Sequence, residues 1–408
     1  MTPSLLERDK SYYKLDITDS LPPGTDSIEQ FELSPRQPRP PPRPKRPVPE
    51  WPPEAERKGK WIWTYLDKVG TLSILSVVDA LILDPDTEYD QIIKTAIFFM
   101  ANSFAFSAGY ASTFIHLVQT PAGAAAVHHT AKAYRRGHQR FFETQDYFLD
   151  WMWYGSGSDI SRRRLESVNK IHASVWKNVP GAYSHPWEGE MAIIGAAYFE
   201  TYLRKLVGAR RTEPHPNVQR AWPEWGERVC AQLRTEPLDG SRSFGVNFPR
   251  TWEEVEGFYL WFQRIPMERY TDDETRRKAH DASEAFIRQF SVMWFPRRLK
   301  WFGRQVVLTV IPAPIREHNE IGHPNPVTEI LIKFAIKVYL DMKDALPDPV
   351  RPDFSDEYHA AKGVNWKKTD IQTEAEWQRR DQITDAILLT IVLAGGMWAL
   401  WQLRIFSI

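Results

Sequence analysis

Cysteine is what this chain most lacks, because its 408 residues include only Cys230. A lone thiol excludes an intrachain disulfide and the Cys-rich ligand sets of structural zinc and iron–sulfur sites. A reducing compartment is consistent with that composition. An excess of one charge is missing too, since 52 Lys and Arg residues balance 52 Asp and Glu residues. Without a one-sided basic field, the sequence predicts no nucleic-acid partner.

The motifs of several common enzyme classes are also absent from the sequence. It contains no His-Glu-x-x-His, Walker, Gly-x-Gly-x-x-Gly or Gly-x-Ser-x-Gly pattern, so hydrolase, kinase and dinucleotide-binding functions lack their parts. His128 and His129 are neighbours on a predicted helix and face different ways, so at least one is predicted to be a surface residue. The first ten residues have no apolar stretch and predict no secretory signal.

Strand signals are sparse, and the fold class predicted is all-α. Residues 210–249 are predicted to be loop-rich, and residues 303–311 fit either a strand or a buried helical turn. The 28 residues 91–118 are long enough to span a bilayer, but polar residues interrupt them and favour a core helix. Helices are predicted over residues 71–83, 91–118, 121–135, 138–153, 162–177, 188–206, 252–263, 273–294 and 326–346.

Residues 1–60 form a proline- and arginine-rich tail that is predicted to be disordered. Ten prolines lie between Pro35 and Pro53, interleaved with basic residues. Such a stretch favours polyproline II and excludes helix. It is either a solvated tail or a docking stretch for a proline-binding module or anionic lipid headgroups. A single helical domain is predicted to follow over residues 61–380.

An uncharged, strongly apolar run lies near the end of the chain, over residues 386–401. With Ile383 and Leu403 at its edges, it matches the thickness of a bilayer core. Four basic residues between 367 and 380 precede it and only Arg404 follows, so the positive-inside rule places the large domain in the cytosol. We expect a transmembrane anchor at residues 383–403; the alternative is a buried core helix.

His172 lies on a helical stripe with Leu165, Val168, Ile171 and Val175. An imidazole directed into an apolar interface needs a partner. That partner is a hydrogen-bonding group, a metal or a haem iron, and the pattern alone favours an ordinary core histidine.

Arg140 and Thr144 share a second helix face, which Tyr147 and Phe148 continue. A guanidinium and a hydroxyl beside aromatic rings can orient a polar ligand, a propionate or bound dioxygen. The alternative is a helix-surface arginine with a threonine that bonds its own backbone.

Three blocks in this order resemble a known family. The first, residues 117–130, begins Leu-Val-Gln-Thr-Pro-Ala-Gly; the second is Arg140-x-x-x-Thr144 with Tyr154-Gly155; the third is residues 168–175, followed by Pro-Gly-Ala-Tyr at 180–183. A later element, residues 311–316, also fits. Together they are similar to the family that unites bacterial rubber oxygenases (latex-clearing proteins) with fungal endoplasmic-reticulum-bound oxygenases of the mycophenolic acid type. The resemblance covers residues 90–345.

The resemblance implies a globin-like helical core that holds haem b through one proximal histidine, which here is His172. It also implies that Arg140 and Thr144 lie near the distal side, where they act on bound oxygen or hold a propionate. Rubber oxygenases carry a lysine just before that threonine, and this chain has Glu143 there. The closed state that the lysine makes is therefore not carried over.

Three functions follow as hypotheses. The first is an O2-dependent haem oxygenase, anchored in the endoplasmic reticulum, that cleaves a C=C bond or otherwise oxygenates a lipophilic metabolite of fungal secondary metabolism. The second is a relative with the same fold that catalyses a non-oxidative step. The third is a non-enzymatic tail-anchored protein that recruits partners through its proline-rich tail.

Overall fold

The computed structural model describes residues 83–100, 102–179, 181–183, 186–234, 244–245, 248–265, 272–345, 379 and 381–383. All of its regular elements within these ranges are helical, which confirms the all-α prediction. The described helices fall within the predicted domain of residues 61–380. The predicted tail (1–60), the predicted helix at 71–82 and the predicted anchor beyond Ile383 lie outside the described residues.

Thirteen α-helices and one 3₁₀ turn make up the described part of the chain. In chain order they are α1 Tyr89–Met100, α2 Ser103–Leu117, α3 Pro121–Thr130, α4 Lys132–Arg135, α5 Gly137–Tyr154, α6 Asp159–Trp176, α7 Pro186–Val207, α8 Pro216–Cys230, α9 Trp252–Phe262, α10 Asp273–Trp294, the turn Arg297–Leu299, α11 Lys300–Val310, α12 Ala313–His318 and α13 Pro326–Ala345.

Six predicted helices are confirmed nearly to their ends: α5, α6, α7, α9, α10 and α13. Side-chain caps explain the starts of three of them. Ser158 accepts a hydrogen bond from the Ser161 backbone at α6, and Thr251 and Asp272 cap α9 and α10 in the same way. Gly208 follows α7 with φ of 62°, as a helix-ending glycine should.

Two predictions of helix extent are wrong. Residues 91–118 form two helices that meet at 109°, because Asn102 interrupts the apolar run and its side chain caps α2 at Ala105. The predicted loop at 210–249 contains α8, which begins with Pro216 in the first turn, where a proline costs nothing. The apolar face of α8, with Trp225 and Val229 fully buried, offsets the internal Pro223.

One prediction was left with alternatives. Residues 303–310 lie in α11, so the helical alternative is confirmed there. A third prediction of helix extent is also wrong, because residues 121–135 form two helices: the φ of 52° at Ala131 ends α3. His128 and His129 are both exposed at that end, which confirms the surface prediction.

The core consists of two large apolar clusters that share α5 and α7. One lies around α1, α8 and α9, and the other lies around α2, α10 and α11. No single helix among the described residues is long and apolar enough to cross a membrane. The bent pair Tyr89–Phe98 and Ser103–Leu117 satisfies the length and composition requirement only when the two helices are taken together.

Candidate functional site

A cavity of about 250 Å³ lies where helices α3, α5, α6 and α7 meet. This is close to the lower end of the range for small-molecule pockets, roughly 300–1,000 Å³. Most of its wall is aliphatic or aromatic. Polar side chains in the wall are Thr120, Thr130, Lys132, Arg140, Glu143, Thr144, Tyr147, His172, Tyr183 and Glu188. The structure therefore brings together all three site residues predicted from the sequence, Arg140, Thr144 and His172.

Ion pairs hold the two helices that carry these residues. Arg164 on α6 reaches Asp150 on α5, with 2.6 Å between Nε and Oδ2, and it also contacts Asp146 one turn earlier. The Asp150 side chain is only 2% exposed. Asn169 fixes the other side of α6, because its amide donates to the Gln232 carbonyl at 2.9 Å and its oxygen accepts from Arg234 N at 3.1 Å. The wall around His172 is thus held from both sides.

His172 is an orphaned imidazole in the cavity wall. Its Nδ1 is buried with no hydrogen-bond partner, and no described residue bonds either ring nitrogen. The ring stacks on Tyr183 with centroids 3.8 Å apart and planes 14° apart, and Phe244 lies 6.2 Å away. Burial among these rings lowers the pKa of His172 to about 4. The imidazole is therefore neutral at pH 7, the form that ligates metals.

The predicted apolar stripe around His172 is only partly buried. Leu165 and Val175 are buried, Val168 is half-buried and Ile171 is 49% exposed. Val168, Ile171 and Val175 all line the cavity. The open part of the stripe faces the cavity and its mouth instead of a neighbouring helix.

Arg140 extends its guanidinium over aromatic rings in the same cavity. The guanidinium carbon lies 4.2 Å from the Phe114 centroid and 5.0 Å from that of Phe286, and Nη1 donates to the Tyr110 hydroxyl. No described carboxylate forms an ion pair with it. Burial raises the pKa of Tyr110, so this hydroxyl stays neutral and does not balance the charge. Arg140 is half-buried in the cavity wall, and its guanidinium is a cation that an anionic group would complement.

Thr144 behaves as the structural alternative predicted. Its hydroxyl donates to the Arg140 carbonyl one turn back, at 2.9 Å. Glu143, which stands where the related family has lysine, instead binds Lys132 on α4 at 2.6 Å and Gln139 at 2.9 Å. Lys132 and Glu143 are both partly exposed and both line the cavity, so an ion pair lies at its rim.

Three further residues belong to the site and were not singled out from the sequence. Tyr183 covers one face of His172 from a backbone with φ of 59°, and burial raises its pKa to about 12. Glu188 is buried in the wall, with Oε1 3.1 Å from the Thr120 hydroxyl. The sequence signal for Thr120 and Tyr183 was their position in the blocks that resemble the family. Glu188 lies outside those blocks, and no sequence signal pointed to it.

The later element of the resemblance, residues 311–316, has a structural role in this chain. Arg316 donates from Nη1 to the carbonyls of Leu308 and Ile311, at 2.8 and 2.6 Å, and so caps the end of α11. It does not line the cavity.

Gly189 is needed in the cavity wall. A Cβ on it would lie 2.0 Å from the Phe244 ring, so only glycine lets this ring form part of the wall.

The described residues contain no group of three or more His, Cys, Asp or Glu side chains arranged around a metal ion. A haem iron requires only one protein ligand, and His172 is the candidate in this cavity. No protein-family model matches the chain, and no curated protein is significantly similar to it.

Proposed function

We propose that the protein is a haem b-dependent oxygenase that acts on a lipophilic small molecule, and that His172 is the residue that would hold the haem iron. The observation that carries the proposal is the neutral His172 ring, without a hydrogen bond, in the wall of an apolar cavity. A buried imidazole with no partner costs about 1–3 kcal/mol, which ligation of a metal would recover. Haem, when bound, supplies the activation of O2, which no side chain of this cavity provides.

The residues of the wall would divide the remaining tasks. Arg140 would hold an anionic group, either a haem propionate or a carboxylate of the substrate, because its charge has no described carboxylate partner. Thr144 would present its hydroxyl oxygen, since its proton is directed to the Arg140 carbonyl. The aliphatic and aromatic wall would exclude water and bind an oily substrate. The resemblance adds a globin-like core and oxidative C=C cleavage or a related oxygenation.

The protein would act at the endoplasmic-reticulum membrane, as an enzyme of a fungal secondary-metabolite pathway. Residues 383–403 would anchor the chain, with the helical domain in the cytosol. A lipophilic substrate partitions into the bilayer, so an anchored enzyme meets it at high local concentration. The proline-rich tail would recruit a proline-binding partner.

An absorption spectrum of the purified full-length protein, before and after reconstitution with haem, tests the proposal. We expect a Soret band that His172→Ala abolishes. His116→Ala is the matched control: burial lowers the pKa of His116 to about 4 as well, but its Nδ1 lies 2.8 Å from the Ser112 carbonyl and it does not line the cavity. A folded, colourless wild-type protein that takes up no haem would overturn the proposal, as would equal haem loss in both variants.

A second candidate is a non-oxidative reaction in the same cavity, such as an isomerisation. It is favoured by the proton-transfer groups that share the wall: His172 beside Tyr183, and Glu188 beside Thr120. Under this alternative, Glu188→Gln abolishes turnover in a protein that never binds haem.

A further inference from the structure

Helix α13 turns its apolar side away from the protein. Of its 20 residues, those that are exposed are all apolar or aromatic, and they recur at helical spacing along one face. A surface helix ordinarily shows the opposite arrangement. The most exposed members of this outward face are Val327, Ile330, Leu331, Phe334 and Met342, at 54–69%.

The charged side of α13 is the side that packs on the protein. Asp344 binds Arg204 on α7 at 2.7 Å, and Lys343 binds Glu200 at 2.9 Å. Lys337 donates to the Gly208 carbonyl at 2.5 Å. Rotating the helix to bury its apolar side would break all of these contacts. The outward direction of the apolar face is therefore fixed by the fold.

The outward face continues into a second exposed aromatic region. Asn102 donates to the Tyr339 hydroxyl at 2.8 Å, and two residues later Phe104, itself exposed, packs on Trp294 with centroids 5.2 Å apart. Beyond Trp294 comes the 3₁₀ turn with its basic residues 297 and 298, and at the start of α11 Trp301 follows Lys300 and is 57% exposed. Aromatic residues next to cations are typical of a membrane interface.

The last described residues, 381–383, lie at this same region. The Arg297 backbone N–H donates to Asp381 Oδ2 at 3.1 Å, and Ile383, two residues on, is 62% exposed. Residues 386–401, which follow, contain no charge at all. The apolar face, the basic turn and the start of the predicted anchor therefore form one connected surface.

We propose that this surface docks on an anionic lipid bilayer. The outward face of α13 would lie at the boundary between headgroups and acyl chains, with Arg297 and Arg298 among the headgroups. Packing of residues 386–401 along α13 is a weaker alternative. These residues are apolar all round, so contact with α13 would cover only one of their sides. A bilayer would cover residues 386–401 on all sides and the outward face of α13 as well. The inference does not depend on haem, and it uses the predicted anchor only to locate the membrane.

Site-directed spin labelling of the full-length protein in phosphatidylcholine–phosphatidylserine vesicles tests the proposal. Single cysteines replace Ile330, Phe334 or Val338 on the outward face, each labelled with a nitroxide; Cys230 is buried and stays. Arg163→Cys, exposed on α6, is the aqueous control. We expect the ratio of collisions with O2 to collisions with a water-soluble nickel chelate to be several-fold higher at the three positions than at residue 163.

Two outcomes would overturn it. A ratio like that of residue 163 would mean that the face is open to water. Protection from both reagents would mean that protein covers it, either residues 384–408 or a second copy of the chain. Three labelled positions keep the test decisive if one variant fails to fold. Haem content does not enter the readout, so failure here is distinct from failure of the proposed function.

Discussion

Helices α6 and α13 both carry apolar side chains that no described residue covers, but these side chains face in different directions. On α6 they face an internal cavity, and on α13 they face outward. In both cases ion pairs hold the helix by its polar side: Arg164 to Asp150 at α6, and Arg204 to Asp344 at α13. Buried ion pairs are expensive to form, so here they fix an orientation that the hydrophobic effect would oppose. This uncovered apolar surface is the observation behind both proposals, a small molecule in the cavity and lipid against α13.

The largest expected effects are on the ion pairs that attach α13 and α6. Arg204 is 5% exposed and binds both Asp344 and Glu200. Arg204→Ala should lower the free energy of unfolding by about 3–5 kcal/mol, because it leaves the Asp344 carboxylate, 12% exposed, without this counter-charge, while Glu200 keeps Lys343. Arg164→Ala should cost a similar amount, because Asp150 loses this arginine and its side chain is only 2% exposed. Urea unfolding of both variants in mild detergent, followed by tryptophan fluorescence, measures both losses.

A loss of less than about 1 kcal/mol in either variant would contradict this expectation, because that is the size of a solvent-exposed ion pair. It would show that the ion pair does not fix the direction of that helix.

Helix positions were largely predictable from sequence because their determinants are local. The caps at Ser158 and Asp272 and the 3.6-residue apolar period lie within each segment. Helix α8 was missed because Pro216 and Pro223 suggest a loop, and only its burial against α1 shows why a helix tolerates them. The direction of α13 was equally hidden. An amphipathic pattern has two sides, and the partners that select the polar one, Glu200 and Arg204, lie more than 120 positions away.

The site divides in the same way. His172, Arg140 and Thr144 were predictable as members of helix faces and of blocks that resemble a family. Their meeting in one cavity is long-range information. The pairing of Thr120 with Glu188 joins residues 68 positions apart, and Tyr110 meets Arg140 across 30. No local period encodes either contact.

A smaller effect distinguishes the cavity wall from ordinary core. Without haem, His172→Leu should raise the free energy of unfolding at pH 7.5 by about 1 kcal/mol, because it removes a buried nitrogen with no partner. His116→Leu should not raise it, because the contact of Nδ1 with the Ser112 carbonyl is lost and offsets the removal of the unpartnered Nε2. Thermal or urea unfolding of the haem-free proteins measures both. If His172→Leu is destabilising at pH 7.5, then His172 has a protein partner and the argument for a ligand fails.

The pH dependence of those variants follows from the same histidines. The pKa of His172 is about 4 in the folded protein and 6.5 for an ordinary histidine. As the pH falls below 6.5, the unfolded chain binds the proton first, so the free energy of unfolding decreases down to pH 4. Each such histidine contributes a slope of about 1.4 kcal/mol per pH unit. His172→Leu should therefore reduce the dependence of the free energy of unfolding on pH by about 1.4 kcal/mol per pH unit between pH 6.5 and pH 4. His116→Leu should reduce it by the same amount, because the other histidine still contributes.

The smallest effect on the free energy of unfolding is expected on the outward face of α13, with its buried side as the control. Ile330 is 69% exposed and Ile332, two residues on, is 3% exposed. In mild detergent, Ile330→Glu should change the free energy of unfolding by less than about 0.5 kcal/mol, as surface substitutions do. Ile332→Ala should lower it by roughly 2–5 kcal/mol, because it opens a cavity between α13 and the neighbouring core.

The order of these two costs is what matters for the outward face. A loss from Ile330→Glu that approaches the loss from Ile332→Ala would mean that protein covers residue 330 in solution. The lipid would then have to displace that cover before it could bind, and the comparison of α13 with the open cavity wall of α6 would no longer hold.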